Sequence, residues 1–143
     1  MISKALDYAL RSIVYMASQP DREYFGVKEI AERTSVSRTY LGKILQGLVK
    51  EGYLRSTTGP GGGFALAVPP AKLTLKELME CVDGDRVETS CILGLADCSD
   101  TNPCPIHGTW KKARRELLAD LKRTTVAQAM KKSWPEYRAP KDR

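Results

Sequence analysis

Apolar positions Leu6, Leu10, Ile13, Val14 and Ala17 recur at helical spacing, and Pro20 closes the run, so a helix is predicted from about Ser3 to Ser18. A short helix is expected over residues 28–34, burying Ile30 and Ala31. After the tight connection Ser35-Val36-Ser37, with Ser37 as N-cap, an amphipathic helix is expected from Arg38 to about Glu51. Its inward face is Leu41, Ile44, Leu45, Leu48 and Val49, and Gly52 ends it. Two short strands, Tyr53–Ser56 and Phe64–Val68, flank the turn Gly59-Pro60-Gly61-Gly62-Gly63.

Further along, Pro69-Pro70 breaks the chain, and Thr74–Glu77 has the spacing of a capping box for a helix reaching Cys81. Cys81 reads as a buried small residue beside Leu75, Leu78 and Met79. Asp83-Gly84-Asp85 stops that helix, and an irregular acidic stretch follows. A long basic helix is expected to start at Pro105, with Cys104 as N-cap and an apolar stripe of Trp110, Ala113, Leu117, Leu118 and Leu121. Thr125–Gln128 forms a second capping box for a short last helix, and Ser133 onward reads as a loose tail. The predicted architecture is mainly α with a small β-wing: a winged helix-turn-helix over residues 1–84, a cysteine-rich loop over 85–104, a dimerisation helix and short terminal helix over 105–132, and a flexible tail over 133–143.

Charge sharpens this division. Residues 1–65 carry 9 Lys and Arg against 6 Asp and Glu, residues 66–104 carry 3 against 7, and residues 105–143 carry 11 against 4. Two basic blocks favour a polyanionic partner, and the acidic middle suggests a separate task. No run approaches the roughly 18 apolar residues of a membrane span, and the first twenty residues lack a signal-peptide core, so a cytoplasmic protein with no membrane partner is expected.

The second helix of the helix-turn-helix offers Ser37, Arg38, Thr39, Tyr40 and Lys43 at its N-terminal end, opposite its apolar face. Arg38 and Lys43 suit guanine acceptors or phosphates, as the recognition end of such a helix requires. A wing tip of Gly59, Pro60, Gly61, Gly62 and Gly63 lets backbone approach a duplex, with Lys50 and Arg55 supplying nearby charge. A phosphate-cradling nucleotide loop is the competing interpretation. It fails because no Lys-Ser or Lys-Thr follows and no helix opens there. A solvated helix end and a flexible hairpin are the plainer alternatives.

Cys91, Cys98 and Cys104 are followed by His107, the single histidine, so three thiols and one imidazole fall within seventeen residues. In a reducing compartment such a cluster points to metal or redox chemistry, and the spacing is not the paired Cys-x2-Cys of a zinc finger. An iron–sulfur cluster, a structural zinc, a thiol redox switch and incidental cysteines are the alternatives. A Cys–His nucleophilic dyad or a small electron carrier is a remoter possibility, since no second activating group or cofactor fingerprint accompanies the pair. A non-enzyme is expected.

Asp7-Tyr8-Ala9-Leu10-Arg11, the run from Ile30-Ala31 to Leu45, the string Gly59-Pro60-Gly61-Gly62-Gly63-Phe64 and the cysteine loop before a long helix resemble the Rrf-two family of bacterial transcription regulators, IscR- and NsrR-like, over about residues 1–132. The resemblance implies a homodimer on double-stranded DNA with a palindromic operator. It implies a 2Fe-2S or 4Fe-4S iron–sulfur cluster on Cys91, Cys98 and Cys104, and a repressor or redox-sensing role. It also implies a non-cysteine fourth ligand: His107, as in IscR-like members, or Asp7 from the partner subunit, as in NsrR-like members. One extra residue between Cys91 and Cys98 departs from the commoner family spacing.

Overall fold

The structure, a computed structural model, describes residues 3–131; the tail expected from Ser133 lies outside them. Its elements are α1 (Lys4–Ala17), α2 (Val27–Thr34), α3 (Arg38–Lys50), β1 (Leu54–Thr57), β2 (Gly63–Leu66), α4 (Leu75–Asp83), α5 (Arg86–Thr89), α6 (His107–Arg123) and α7 (Val126–Lys131), with a 3-10 turn at Pro70–Lys72. This is the predicted mainly helical fold with a two-stranded wing.

Local signals set most boundaries. The Ser3 hydroxyl accepts from the Leu6 amide and caps α1, and Ser37 does the same for Tyr40 at α3. Both capping boxes form. Thr74 and Glu77 satisfy each other's backbone N–H groups at α4, as do Thr125 and Gln128 at α7. The α2–α3 turn places Ser35 in the left-handed region at φ 61°, the one non-glycine at positive φ among the described residues.

The core lies between α1, α2, α3, α4 and the hairpin. Ile13, Met16, Phe25, Ile30, Leu41, Leu45, Leu48, Leu73, Leu78 and Val126 are essentially inaccessible to water. Buried Ser12 and Thr34 satisfy their hydroxyls on the carbonyls four residues back, at Tyr8 and Ile30. The strands pair antiparallel with Leu54 opposite Leu66 and Thr57 opposite Gly63. Phe25 adds one more rung, exchanging two 2.8 Å hydrogen bonds with Phe64.

Two expectations need correction. The long helix opens at His107, with Ile106 as a cap that has no side-chain bond, so Pro105 is not its first residue and Cys104 does not cap it. Residues 104–107 instead make a turn closed by the His107 amide on the Cys104 carbonyl (3.1 Å), and Cys104 is thereby turned inward and buried. The acidic stretch also holds the single-turn helix α5, too short to produce a periodic pattern.

The α6 stripe is split. Trp110 is buried, and Leu118 and Leu121 pack against the core through α4, whereas Leu117 lies half-buried outside that cluster and Ala113 is exposed. At the far end α7 is sewn to the start of α4: the Leu75 amide donates to the Thr124 carbonyl and the Val126 amide to Leu73.

Candidate nucleic-acid interface and metal centre

The residues expected to contact DNA sit where α3 leaves the core. Leu41, Leu45 and Leu48 anchor one side of the helix, and Ser37, Arg38, Thr39, Tyr40 and Lys43 are exposed on the other. Tyr40 is held edge-on by Tyr8 of α1, with ring centroids 5.7 Å apart. Neither Arg38 nor Lys43 meets a carboxylate among the described residues, so both charges are available to an anionic partner.

The wing is a five-residue loop with its own internal turn. The Gly62 amide donates to the Gly59 carbonyl (3.0 Å), Pro60 supplies the first corner, and Gly61 at φ 75° takes the corner that needs a positive φ. At its base Gly63 is indispensable, because a Cβ there would lie 2.2 Å from the Phe25 carbonyl oxygen. Arg55 is engaged within the chain. One guanidinium nitrogen donates to the Leu66 carbonyl (3.0 Å), another to Glu23 (2.8 Å), and the group lies over the Tyr24 ring. Those partners, more than thirty residues away for Glu23, were not legible from the local pattern.

The cysteine segment is a succession of tight turns. Hydrogen bonds run from Gly94 to Cys91, Cys98 to Leu95, Asn102 to Ser99 and His107 to Cys104, each three residues apart. Three of the four have a cysteine at one end, so the backbone folds the thiols toward one another. All three sulfurs lie within 4.8 Å of each other, with Cys91 and Cys104 3.7 Å apart. Metal–sulfur bonds of about 2.3 Å at a tetrahedral ion put two sulfurs about 3.8 Å apart, so this pair already spans one coordination edge.

The imidazole reaches the same place. Nδ1 of His107 is 3.2 Å from the Cys98 sulfur, while Nε2 is 2.8 Å from Asp100. Asp7 is not part of this gathering: it lies on α1 and pairs with Arg11 at 2.9 Å.

The thiols differ electrostatically. Backbone N–H groups, first that of Leu95 and then that of Leu93, stabilise the Cys91 thiolate and bring its pKa down to about 7 despite some burial. Cys98 moves the other way. The Cys104 amide favours its thiolate, but burial and the two neighbouring thiols outweigh that bond and raise it. The fourth cysteine, Cys81, lies half-buried on α4 with its sulfur 3.8 Å from the Gly47 carbonyl, and burial pushes it up to about 11. It takes no part in the cluster.

Around the thiols the surface is apolar. Ile92, Leu93, Leu95 and Ile106 are each 40–54% exposed. Beside Cys91 an open cleft of about 570 Å³ runs between Ser3, Asp83, Arg86, Ile92 and Trp110. Two bonds tie the cleft walls together. Ser3 donates to the Asp83 carboxylate (2.6 Å), and the Trp110 indole donates to the carbonyl of Ser90, the residue before Cys91 (2.9 Å).

Known proteins share this fold. A protein of Aquifex aeolicus designated an HTH-type transcriptional regulator is 33% identical over 128 residues, 88% of each chain. CymR, the global cysteine regulator of Bacillus subtilis, superposes with a TM-score of 0.74 at 21% identity, covering 94% of this chain and 98% of that one. T. potens IscR superposes at 0.70 with 24% identity, covering 92% and 86%. These two structures share the winged helix-turn-helix fold. The model of the Rrf2 family, described as iron-dependent transcriptional regulators, matches residues 2–132, and with it the chain belongs to the Rrf2 family.

Proposed function

We propose that this Rrf2-family transcriptional regulator binds double-stranded DNA as a homodimer, and that an iron–sulfur cluster on the 91–107 segment controls its affinity for a palindromic operator. The observation carrying this is the convergence of three thiols and the His107 Nδ1 on one small volume. Thiolates and imidazole are the donors iron–sulfur centres use, so the residues present fit the group. Cys91, Cys98 and Cys104 would hold it, with His107 as fourth ligand and Asp7 of the partner subunit as the alternative. Bound there, the cluster supplies a redox-responsive centre that solutes can oxidise or strip.

The chain's own residues carry the signal onward. Trp110 grips Ser90 and so joins the cysteine segment to α6, which packs on α4. Helix α4 packs on α1 and α3, and α3 presents Arg38, Thr39, Tyr40 and Lys43 to the duplex with Gly59–Gly63 as the wing. A change in the path of residues 91–104 therefore alters the seating of the recognition helix. The half-buried Leu117 and the exposed Ala113 on α6 support a two-fold contact through that helix. Such a dimer sets two recognition helices a DNA turn, or a multiple of one, apart.

The 3.7 Å spacing of Cys91 and Cys104 favours a second reading, a single zinc ion or a thiol switch on the same residues. Iron, acid-labile sulfide and zinc per chain, measured on protein purified without oxygen, separate the two. Near-stoichiometric iron and sulfide, together with genomic duplexes bound differently by loaded and metal-free protein, support the cluster. Zinc alone, or equal DNA affinity in both states, overturns it.

A further inference from the structure

His107 is gripped from both sides. Its Nδ1 faces the Cys98 sulfur at 3.2 Å and its Nε2 faces Oδ1 of Asp100 at 2.8 Å. Lys111, one helical turn further along α6, places its ammonium 3.0 Å from both oxygens of the same carboxylate. A carboxylate paired with an ammonium accepts hydrogen bonds and donates none, so the imidazole proton belongs on Nε2. The Nδ1 lone pair is then directed at the thiols. Asp100 is itself set by the turn around it: Ser99 and Asn102 exchange backbone hydrogen bonds of 3.1 and 3.2 Å, and the Asn102 side-chain Nδ2 donates to the Asp97 carbonyl at 3.2 Å.

We propose that Asp100, steadied by Lys111, is a positioning residue for His107: it fixes the tautomer and the ring plane, so that Nδ1 is the atom offered to a bound metal centre. The inference rests on the reading of His107 as fourth ligand, and it adds a residue outside the ligand set. A carboxylate on the far nitrogen of a ligating imidazole also makes the near nitrogen a better donor.

The test uses full-length protein reconstituted without oxygen, as wild type, Asp100→Ala, Asp100→Asn, Lys111→Ala and His107→Ala. Two readouts are taken: nitrogen hyperfine coupling in the pulsed-EPR spectrum of the reduced cluster, and the rate of iron loss to a chelator. Wild type should show an imidazole nitrogen coupling that His107→Ala abolishes. Asp100→Ala should shift that coupling and speed iron loss about 10- to 100-fold, the usual effect of removing an outer-shell partner. Asp100→Asn keeps an acceptor for Nε2–H but loses the charge, so it and Lys111→Ala should fall between wild type and Asp100→Ala. The Asp100 side chain is 69% exposed, so the metal-free variants should melt as wild type does. An unchanged coupling and rate in Asp100→Ala overturns the positioning role and leaves His107 as a ligand. No nitrogen coupling in wild type removes the ligand assignment and this proposal with it.

Discussion

Replacing Gly63 by alanine isolates the cost of the wing's attachment. At φ 140° the backbone is already in a region side chains rarely adopt, and a Cβ would stand 2.2 Å from the Phe25 oxygen and 2.6 Å from its carbonyl carbon. Neither atom can yield cheaply, because the two 2.8 Å hydrogen bonds between Phe25 and Phe64 hold them and the Phe25 ring is 1% exposed. Relief means breaking those bonds, about 1 kcal/mol net each. Backbone strain adds about 1–3 kcal/mol. The expected loss is about 3–5 kcal/mol, which for a chain of this size lowers Tm by roughly 10–15 °C. Gly61 is the internal control. It lies in the same wing at φ 75° with nothing within 4 Å of a Cβ, so Gly61→Ala should cost only about 1 kcal/mol. Both variants are compared with wild type by thermal and urea unfolding, metal-free and at one protein concentration, since the stability of any self-associating chain depends on concentration. Equal destabilisation by the two substitutions would refute the argument that collision with Phe25, rather than wing flexibility, decides the matter.

Other consequences are equally open to measurement. Glu29 is held down to about 2 by the Arg22 guanidinium and then the Tyr15 hydroxyl, which donates at 2.5 Å. Its folded value lies below its unfolded one, so its contribution is complete above pH 4.5 or so and is lost as pH falls toward 2. Glu29→Gln should flatten that limb of the stability profile and, with the pair partly exposed, cost about 1 kcal/mol at neutral pH. In metal-free protein, alkylation followed by mass spectrometry should show Cys91 reacting as pH passes about 7, while Cys81 stays inert until about 11. Arg38→Ala and Lys43→Ala should each weaken duplex binding and reduce the salt slope by about 1 in a titration of affinity against salt. Arg55→Ala should change that slope less, because its guanidinium is spent on Glu23 and Leu66. Ser35→Gly, relieving the left-handed residue between α2 and α3, should raise stability by about 1 kcal/mol in urea unfolding.

The helices were legible because their information is local. Leu41, Leu45 and Leu48 recur at helical spacing and are the residues found buried, and the Thr74–Glu77 and Thr125–Gln128 boxes close as their spacing demands. What the sequence did not show is decided by partners distant along the chain. Nothing near Arg55 announces Glu23, and nothing near Phe25 announces that it becomes a rung of the wing. The α6 stripe read as one surface, yet burial of Trp110, Leu118 and Leu121 against their own chain leaves only part of it outward. At the thiol site the candidate donor types, three thiols and one imidazole, were visible. The turns that gather them were not, and these turns moved the start of α6 from Pro105 to His107. Asp100 looked like one acid among several until the fold set it on His107.

The stitching of α7 to the start of α4 gives α6 the mechanics of a lever. Hydrogen bonds at Leu73, Leu75, Thr124 and Val126 pin its far end to the core, while its near end is held to the cysteine segment through Trp110 and Ser90. From Trp110 to Thr124 the helix spans roughly 21 Å at 1.5 Å per residue. With that end as fulcrum, each ångström of displacement beside Cys91 becomes a tilt of about 3° along a rigid rod. Because the pinned end lies on the helix-turn-helix core rather than on a free terminus, the control proposed above would act as a tilt of α6 against α4, with little translation at Thr124. Lengthening α6 by a full turn between Trp110 and the pinned end would therefore reduce the tilt produced by the same loop displacement.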